Sequence, residues 1–168
     1  MRLSADVRYP ASAAEVGRML ADPGFVDARD EATHPLSHSA RVEGSPEGAF
    51  VVRSTRVMPT DDVPQVARRF VGDSLELHQT DSWTAPSADG GRTGTMTIEV
   101  VGAPVVLRAD LRLEADGDGA CTERMAGDLK ASVPLVGGAL EKAAEPAVRA
   151  AIRSEEAVGR RWLAERAG

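Results

Sequence analysis

The residues from Pro134 to Arg166, PLVGGALEKAAEPAVRAAIRSEEAVGRRWLAER, carry the pattern that most limits what this chain can fold into. At 3.6 residues per turn, Val136, Leu140, Ala144, Ala147, Val148, Ala151, Ile152, Val158 and Trp162 share one broad face. Glu141, Lys142, Glu145, Arg149, Arg153, Glu156 and Arg160 cover the rest. The spacing predicts a single amphipathic helix over residues 135–165, about 45 Å long at 1.5 Å per residue. A domain of this size has a radius of gyration of about 15 Å, so the helix must lie along something broad. Pro146 removes one backbone bond and falls opposite the apolar stripe, which predicts a bend around that surface.

The preceding residues supply the surface. Leu3, Ala5, Val7 and Tyr9 alternate as a strand with one dry side, and Pro10 ends it. Ser12 and Glu15 form a capping-box signal for one short helix, and Asp22-Pro23 starts a second. Strand patterns then follow at 36–43, 49–58, 74–84, 92–101, 105–114 and 121–133, with turns at Gly44–Gly48 and Asp116–Gly119. The clearest alternation is Val105, Leu107, Ala109, Leu111 and Leu113 against Arg108, Asp110, Arg112 and Glu114. In residues 49–58 the parity is ambiguous, because Phe50, Val51 and Val52 are all apolar. Strands apolar on one side predict an antiparallel sheet with one wet face, and the long helix covers the dry one. Gly137 and Gly138 would let its first turn approach the sheet closely.

Composition narrows the function classes. A formal charge of −6 without a dense basic cluster argues against binding nucleic acid. The single Cys121 forbids an intrachain disulfide. No segment is apolar enough for a membrane span or signal peptide, so the expectation is a cytoplasmic protein of one domain, 1–168. With aromatics at 4%, Ala, Val and Leu must fill the interior.

The order strand, two short helices, about six strands and one long helix resembles the helix-grip fold of the START-like (SRPBCC) superfamily, which includes the birch-pollen-allergen relatives, lipid-transfer domains and polyketide cyclases. Residues 63–73, VPQVARRFVGD, and 132–138, SVPLVGG, are similar to an uncharacterised bacterial family within it. The resemblance implies an α+β fold, a curved antiparallel sheet of about seven strands wrapped around the C-terminal helix, with a pocket for hydrophobic small molecules between them. It implies no catalytic residues, because none can be matched position by position.

Few residues point to chemistry. His34 and His38 are separated by Pro35, which argues against a shared helical metal site, and the chain calls for no metal and no cofactor. Cys121 has dry-side parity and reads as a small buried hydrophobe. Trp83 and Trp162 read as core. Four polar residues break an apolar pattern: Gln79 and Asp81 share parity with Leu75, Leu77 and Trp83, Glu123 with Cys121 and Met125, and Glu155 sits within the helix stripe. A buried carboxylate is costly unless paired or protonated, so these placements invite a functional reading. The plain alternative puts Glu123 and Glu155 near element ends, in water.

Small residues at Ala144, Ala147 and Ala151 lead us to expect a cavity of a few hundred Å³, lined by Leu77, Met96, Ile98, Leu107, Leu111, Met125, Leu129, Leu140, Ala144, Ala147 and Ala151. Gln79 or Glu155 would supply the polar contact, and Val63, Val66 and Phe70 would close the mouth as a mobile lid. The function expected is binding of a hydrophobic small molecule or lipid. The competing readings are an enzyme of the same fold, with Glu155, Asp81 or His78 as acid or base, and an interaction protein with a closed core. Oligomeric state is not legible.

Overall fold

A computed structural model describes residues 1–117 and 119–167. The first alternation becomes β1 (Arg2–Tyr9), with Leu3, Val7 and Tyr9 buried. The capping box starts α1 (Ala13–Leu20): the Glu15 N–H donates to Ser12 Oγ at 3.2 Å, and the Ser12 N–H donates to the Glu15 carboxylate at 2.8 Å. Asp22 caps α2 (Pro23–Glu31), accepting from the Gly24 N–H at 2.8 Å. Then come β2 (Ser37–Gly44), β3 (Phe50–Pro59), α3 (Gln65–Val71), β4 (Ser74–Trp83), β5 (Arg92–Val100), β6 (Val105–Ala115), β7 (Cys121–Ala131) and α4 (Gly137–Ala167).

The strands form one curved antiparallel sheet of seven, in the order β1-β7-β6-β5-β4-β3-β2, with the long helix against it. This is the α+β helix-grip architecture that the element order predicted. The β6–β7 turn is closed by the Asp116 N–H donating to the Ala120 carbonyl at 3.0 Å; Asp118, in the expected Asp-Gly-Asp-Gly turn, lies outside the described residues.

Helix α4 begins at Gly137, two residues later than its stripe suggested, because Leu135 takes a left-handed φ of 69° and is fully exposed. At Gly137 a side chain would run into the Ala131 carbonyl oxygen, so this first turn sits directly on the end of β7. A second close approach lies near the other end of the helix, where a Cβ on Gly159 would come 2.7 Å from Tyr9 Cε1. Along its length α4 contacts α2, β7, β1, α1 and α3.

The interior is packed unevenly along the strands. At the end of the sheet where β3 begins and β4 finishes, Tyr9, Val16, Phe25, Val26, Phe50, Trp83, Leu113, Cys121 and Val158 are at most 4% exposed. α1 and α2 close that end, and Trp162 of α4 meets the Phe25 ring edge-on at 5.8 Å. A fully buried side chain of this kind stabilises by about 1.5–3 kcal/mol. At the opposite end the inward residues of β4 and β5, Leu75, Leu77, Met96, Ile98 and Val100, are only half-buried, whereas Leu107 and Leu129 on β6 and β7 are buried. The helix α3 over that end has no fully buried residue. The exposed large apolar side chains Leu36, Val66, Phe70, Val101 and Leu135 also fall at this end, in the segments that flank β2, β4, β5 and β7 there.

Candidate functional site

Between the closed and the open end runs a layer of polar side chains, positioned by strand parity. Ser54 and Arg56 on β3, and Gln79 and Asp81 on β4, are pairs two residues apart, so each pair shares a face, and register sets Ser54 beside Gln79. All four are at most 6% exposed. The last turn of α2 brings Arg29 and Asp30 onto the same face, 6% and 0% exposed. Each nitrogen of the Arg29 guanidinium is bonded: Nε donates to Asp30 Oδ1 at 3.1 Å, Nη1 to Asp81 Oδ2 at 3.0 Å and Nη2 to Ser54 Oγ at 3.0 Å. Gln79 Nε2 donates to both Asp81 oxygens at 3.0 and 2.9 Å, and Gln79 Oε1 accepts from Arg56 Nη2 at 2.6 Å. Burial alone would lower the Arg29 pKa, but Asp81, Glu155 and Asp30 outweigh it and hold the proton on.

Two more carboxyls face this network, Glu123 from β7 and Glu155 from α4. Neither receives a hydrogen bond among the described residues, and both are partly accessible. Burial raises the pKa of Glu123 well above the ordinary carboxylate value; Glu155 and Asp81 push it further, and Arg29 opposes them. Burial raises that of Glu155 too, with Arg29 and Arg56 pulling it back and Asp81 and Asp30 adding to the rise.

Other polar atoms here lack partners. Tyr9 Oη, Asp30 Oδ2 and Arg56 Nε are buried and unbonded, and Arg56 Nη1 makes no hydrogen bond among the described residues. The Tyr9 hydroxyl lies within the field of Glu123 and Glu155, which with burial raises its pKa strongly. An unsatisfied buried polar group costs about 1–3 kcal/mol, so Asp30 Oδ2 and Arg56 Nε within one polar layer mark where water or a ligand completes the structure. The donors and acceptors left over suit an oxygen-bearing group. Among the described residues no three His, Cys, Asp or Glu side chains are grouped to hold a metal, and the two guanidiniums are interleaved with the carboxyls.

The expected lining residues divide into two sets. Leu77, Met96, Ile98, Ala144 and Ala151 are half-buried and lie along the open end, with Gln79 and Glu155 in the polar layer beside them. Leu107, Leu111, Met125, Leu129 and Leu140 are instead buried in the packed core. Ala147, expected on the buried face, is exposed: Leu140, Ala144, Val148 and Ile152 form the i, i+4 ridge that meets the core, and that ridge winds away from Ala147. Of the lid residues, Val63 is half-buried, and Val66 and Phe70 are each 39% exposed. Two surface hollows lie elsewhere, one around Thr84–Thr93 and Arg112–Ala115, the other around Arg8–Pro10 and Arg160.

The remaining candidates separate. His78 is exposed and bonded to Glu76 at 2.6 Å, and His38 bonds Asp27 at 2.9 Å, away from His34 with its φ of 57°. Burial, then Glu123 and Asp116, push the Cys121 thiol up to about 12, so it stays protonated in the closed core. Arg29, Asp30, Ser54 and Arg56 were not identified from sequence, although the Arg29 and Asp30 positions follow the Phe25-Val26 apolar pair at helical spacing.

A family model described as "Protein of unknown function (DUF2505)" matches residues 4–163. The chain belongs to that family. The DUF2505 chain matches no curated protein. Among solved structures it is similar to norcoclaurine synthase from Thalictrum flavum, a point mutant in complex with a transition-state analogue (TM-score 0.58, 11% identity, 100% of this chain and 96% of that one). It is also similar to TTHA0849 from Thermus thermophilus (0.58, 13%, 95% and 97%) and to the Zhui aromatase/cyclase from Streptomyces sp. R1128 (0.55, 15%, 97% and 95%). These are START-like helix-grip proteins, and the DUF2505 chain shares their fold. No described helix is long and apolar enough to cross a membrane.

Proposed function

We propose that this DUF2505 protein binds a hydrophobic small molecule or lipid bearing an oxygen-containing polar end, in the space between α4 and the central strands. The observation that carries the reading is the meeting of half-buried apolar walls with polar atoms that have no protein partner. Met96, Ile98, Leu77, Ala144 and Ala151 would take the apolar body. Arg56 Nη1 and the Glu155 carboxyl would meet the polar end, with Gln79 orienting Arg56. Val63, Val66 and Phe70 on and before α3 would cover the mouth, which explains apolar side chains left exposed on a helix that buries none of them. Pockets of this kind, apolar with a few placed polar groups, are the usual form of small-molecule sites. The net charge of −6 makes nucleic acid a poor partner.

Native mass spectrometry of the purified protein, followed by identification of whatever small molecule accompanies it, tests the reading. A co-purified amphipathic species, displaced by a fluorescent fatty acid, is the result expected. A protein that carries nothing and binds no apolar probe would refute it.

A further inference from the structure

Resting on that binding reading, we propose that the ligand is an apolar monocarboxylic acid whose carboxylate pairs with Arg56. The polar layer holds two guanidiniums, and their surroundings differ. Arg29 is paired with two carboxylates, Asp30 at 3.1 Å and Asp81 at 3.0 Å. Arg56 is 5% exposed and makes no ion pair among the described residues. Its one side-chain hydrogen bond among them runs from Nη2 to an uncharged acceptor, Gln79 Oε1, at 2.6 Å. Buried charges are ordinarily paired, because an isolated one loses its hydration without return. Arg56 is the cation of this layer that lacks an anion.

Gln79 keeps the protein's own carboxylates off Arg56. Its amide stands between Arg56 and Asp81, accepting from the first with Oε1 and donating to both oxygens of the second with Nε2, at 3.0 and 2.9 Å. Asp81 and Asp30 are turned to Arg29 instead. The charges facing Arg56 are Asp30 and Arg29 of α2, Asp81 of β4 and Glu155 of α4. Burial raises the pKa of Glu155, and in its protonated form that carboxyl donates to an incoming carboxylate instead of repelling it.

Strand register joins Arg56 to the apolar walls. Leu77 of β4 is its partner across the β3–β4 pair, and Val100 of β5 is the partner of Leu77. One row deeper, Ser54, Gln79 and Ile98 are aligned in the same way. Leu77, Val100 and Ile98 share the inward face with Arg56 and are half-buried. An apolar body with its acid end at β3 would therefore run over two strand spacings, about 10 Å. Arg56 Nε is unbonded and closed off from solvent, which leaves Nη1, with two free N–H groups, as the donor open to a ligand. One guanidinium matches the single charge of a carboxylate. A phosphate would call for a second cation, and no nitrogen of Arg29 is without a partner.

The probes are decanoic acid, decanol and methyl decanoate, titrated at neutral pH and followed by ligand-observed NMR. A hydrogen-bonded charge pair in a buried site should make the acid bind the parent protein about tenfold or more tighter than the alcohol or the ester. Arg56→Met should lose that margin while binding decanol as the parent does, and Arg56→Lys should keep part of it. Gln79→Glu gives Arg56 an internal carboxylate, so it should weaken the acid and spare decanol; it decides the matter if Arg56→Met fails to fold. A parent protein that binds decanol or the ester as tightly as the acid overturns the proposal and leaves the binding reading standing. An acid preference that survives in Arg56→Met or Gln79→Glu, or loss of acid and decanol together in a folded Arg56→Met protein, overturns it as well. If none of the three probes binds, both readings fall.

Discussion

Replacing Arg29 by Met removes the charge that joins α2 to the sheet and leaves Asp30, Asp81 and Ser54 facing one another without their donor. Breaking a buried ion pair by deleting one partner costs about 3–5 kcal/mol, because the other charge stays behind uncompensated. Asp81 keeps both donors from Gln79, at 3.0 and 2.9 Å, which softens the loss. About 3 kcal/mol is therefore expected, a fall in Tm of roughly 6–12 °C for a chain of this size. The companion double variant Arg29→Met/Asp81→Asn takes one of the stranded charges away and should recover half or more of the loss. Urea unfolding at neutral pH, followed by far-ultraviolet circular dichroism, reads both. A single-variant cost below about 1 kcal/mol, the range of exposed pairs, would refute the argument that this layer is shielded from water.

Glu123→Gln should stabilise the protein at neutral pH. Its folded pKa lies above the usual 4.5, so the folded state holds the proton more tightly. The parent loses stability as pH rises from that usual value through the raised one, and the variant should lack this slope in thermal melts across that range. Ala151→Phe should abolish probe binding at little cost in stability, because it projects into half-buried space. Leu129→Ala, 3% exposed in the core, should cost about 2–5 kcal/mol in urea titrations and leave binding intact. Amide exchange over α3 should be faster than in β6 and slow when an apolar probe is bound; equal protection without probe would exclude a lid.

The sequence carried the architecture because its two periodicities are unmixed: strict alternation over 105–113 and the long stripe of α4 leave one arrangement that buries both. It also exposed half of the polar layer, since Gln79, Asp81, Glu123 and Glu155 each interrupt an apolar series, and the fold brings them together. The other half was hidden for two physical reasons. On β3 the run Phe50-Val51-Val52 obscures which face points inward, so Ser54 and Arg56 did not stand out as inward polar residues. On α2, Arg29 and Asp30 look like the solvated side of a short surface helix, and only tertiary packing against Ser54 and Asp81 turns them inside. The exposure of Ala147 has the same origin, since a broad stripe does not tell which of its edges meets the core.

The central claim is that the space over the central strands takes up a small molecule, and methyl NMR tests it most directly. With the methyl groups of Met96, Ile98, Leu77, Ala144, Ala151, Leu129, Val66 and Thr93 labelled, the protein is titrated with a fluorescent fatty acid. The account predicts shifts at Met96, Ile98, Leu77, Ala144 and Ala151, with Leu129, packed in the core, unmoved. Shifts confined to Val66 on the outside of α3, or to Thr93 in the surface hollow, with the inner methyls unchanged, would contradict it.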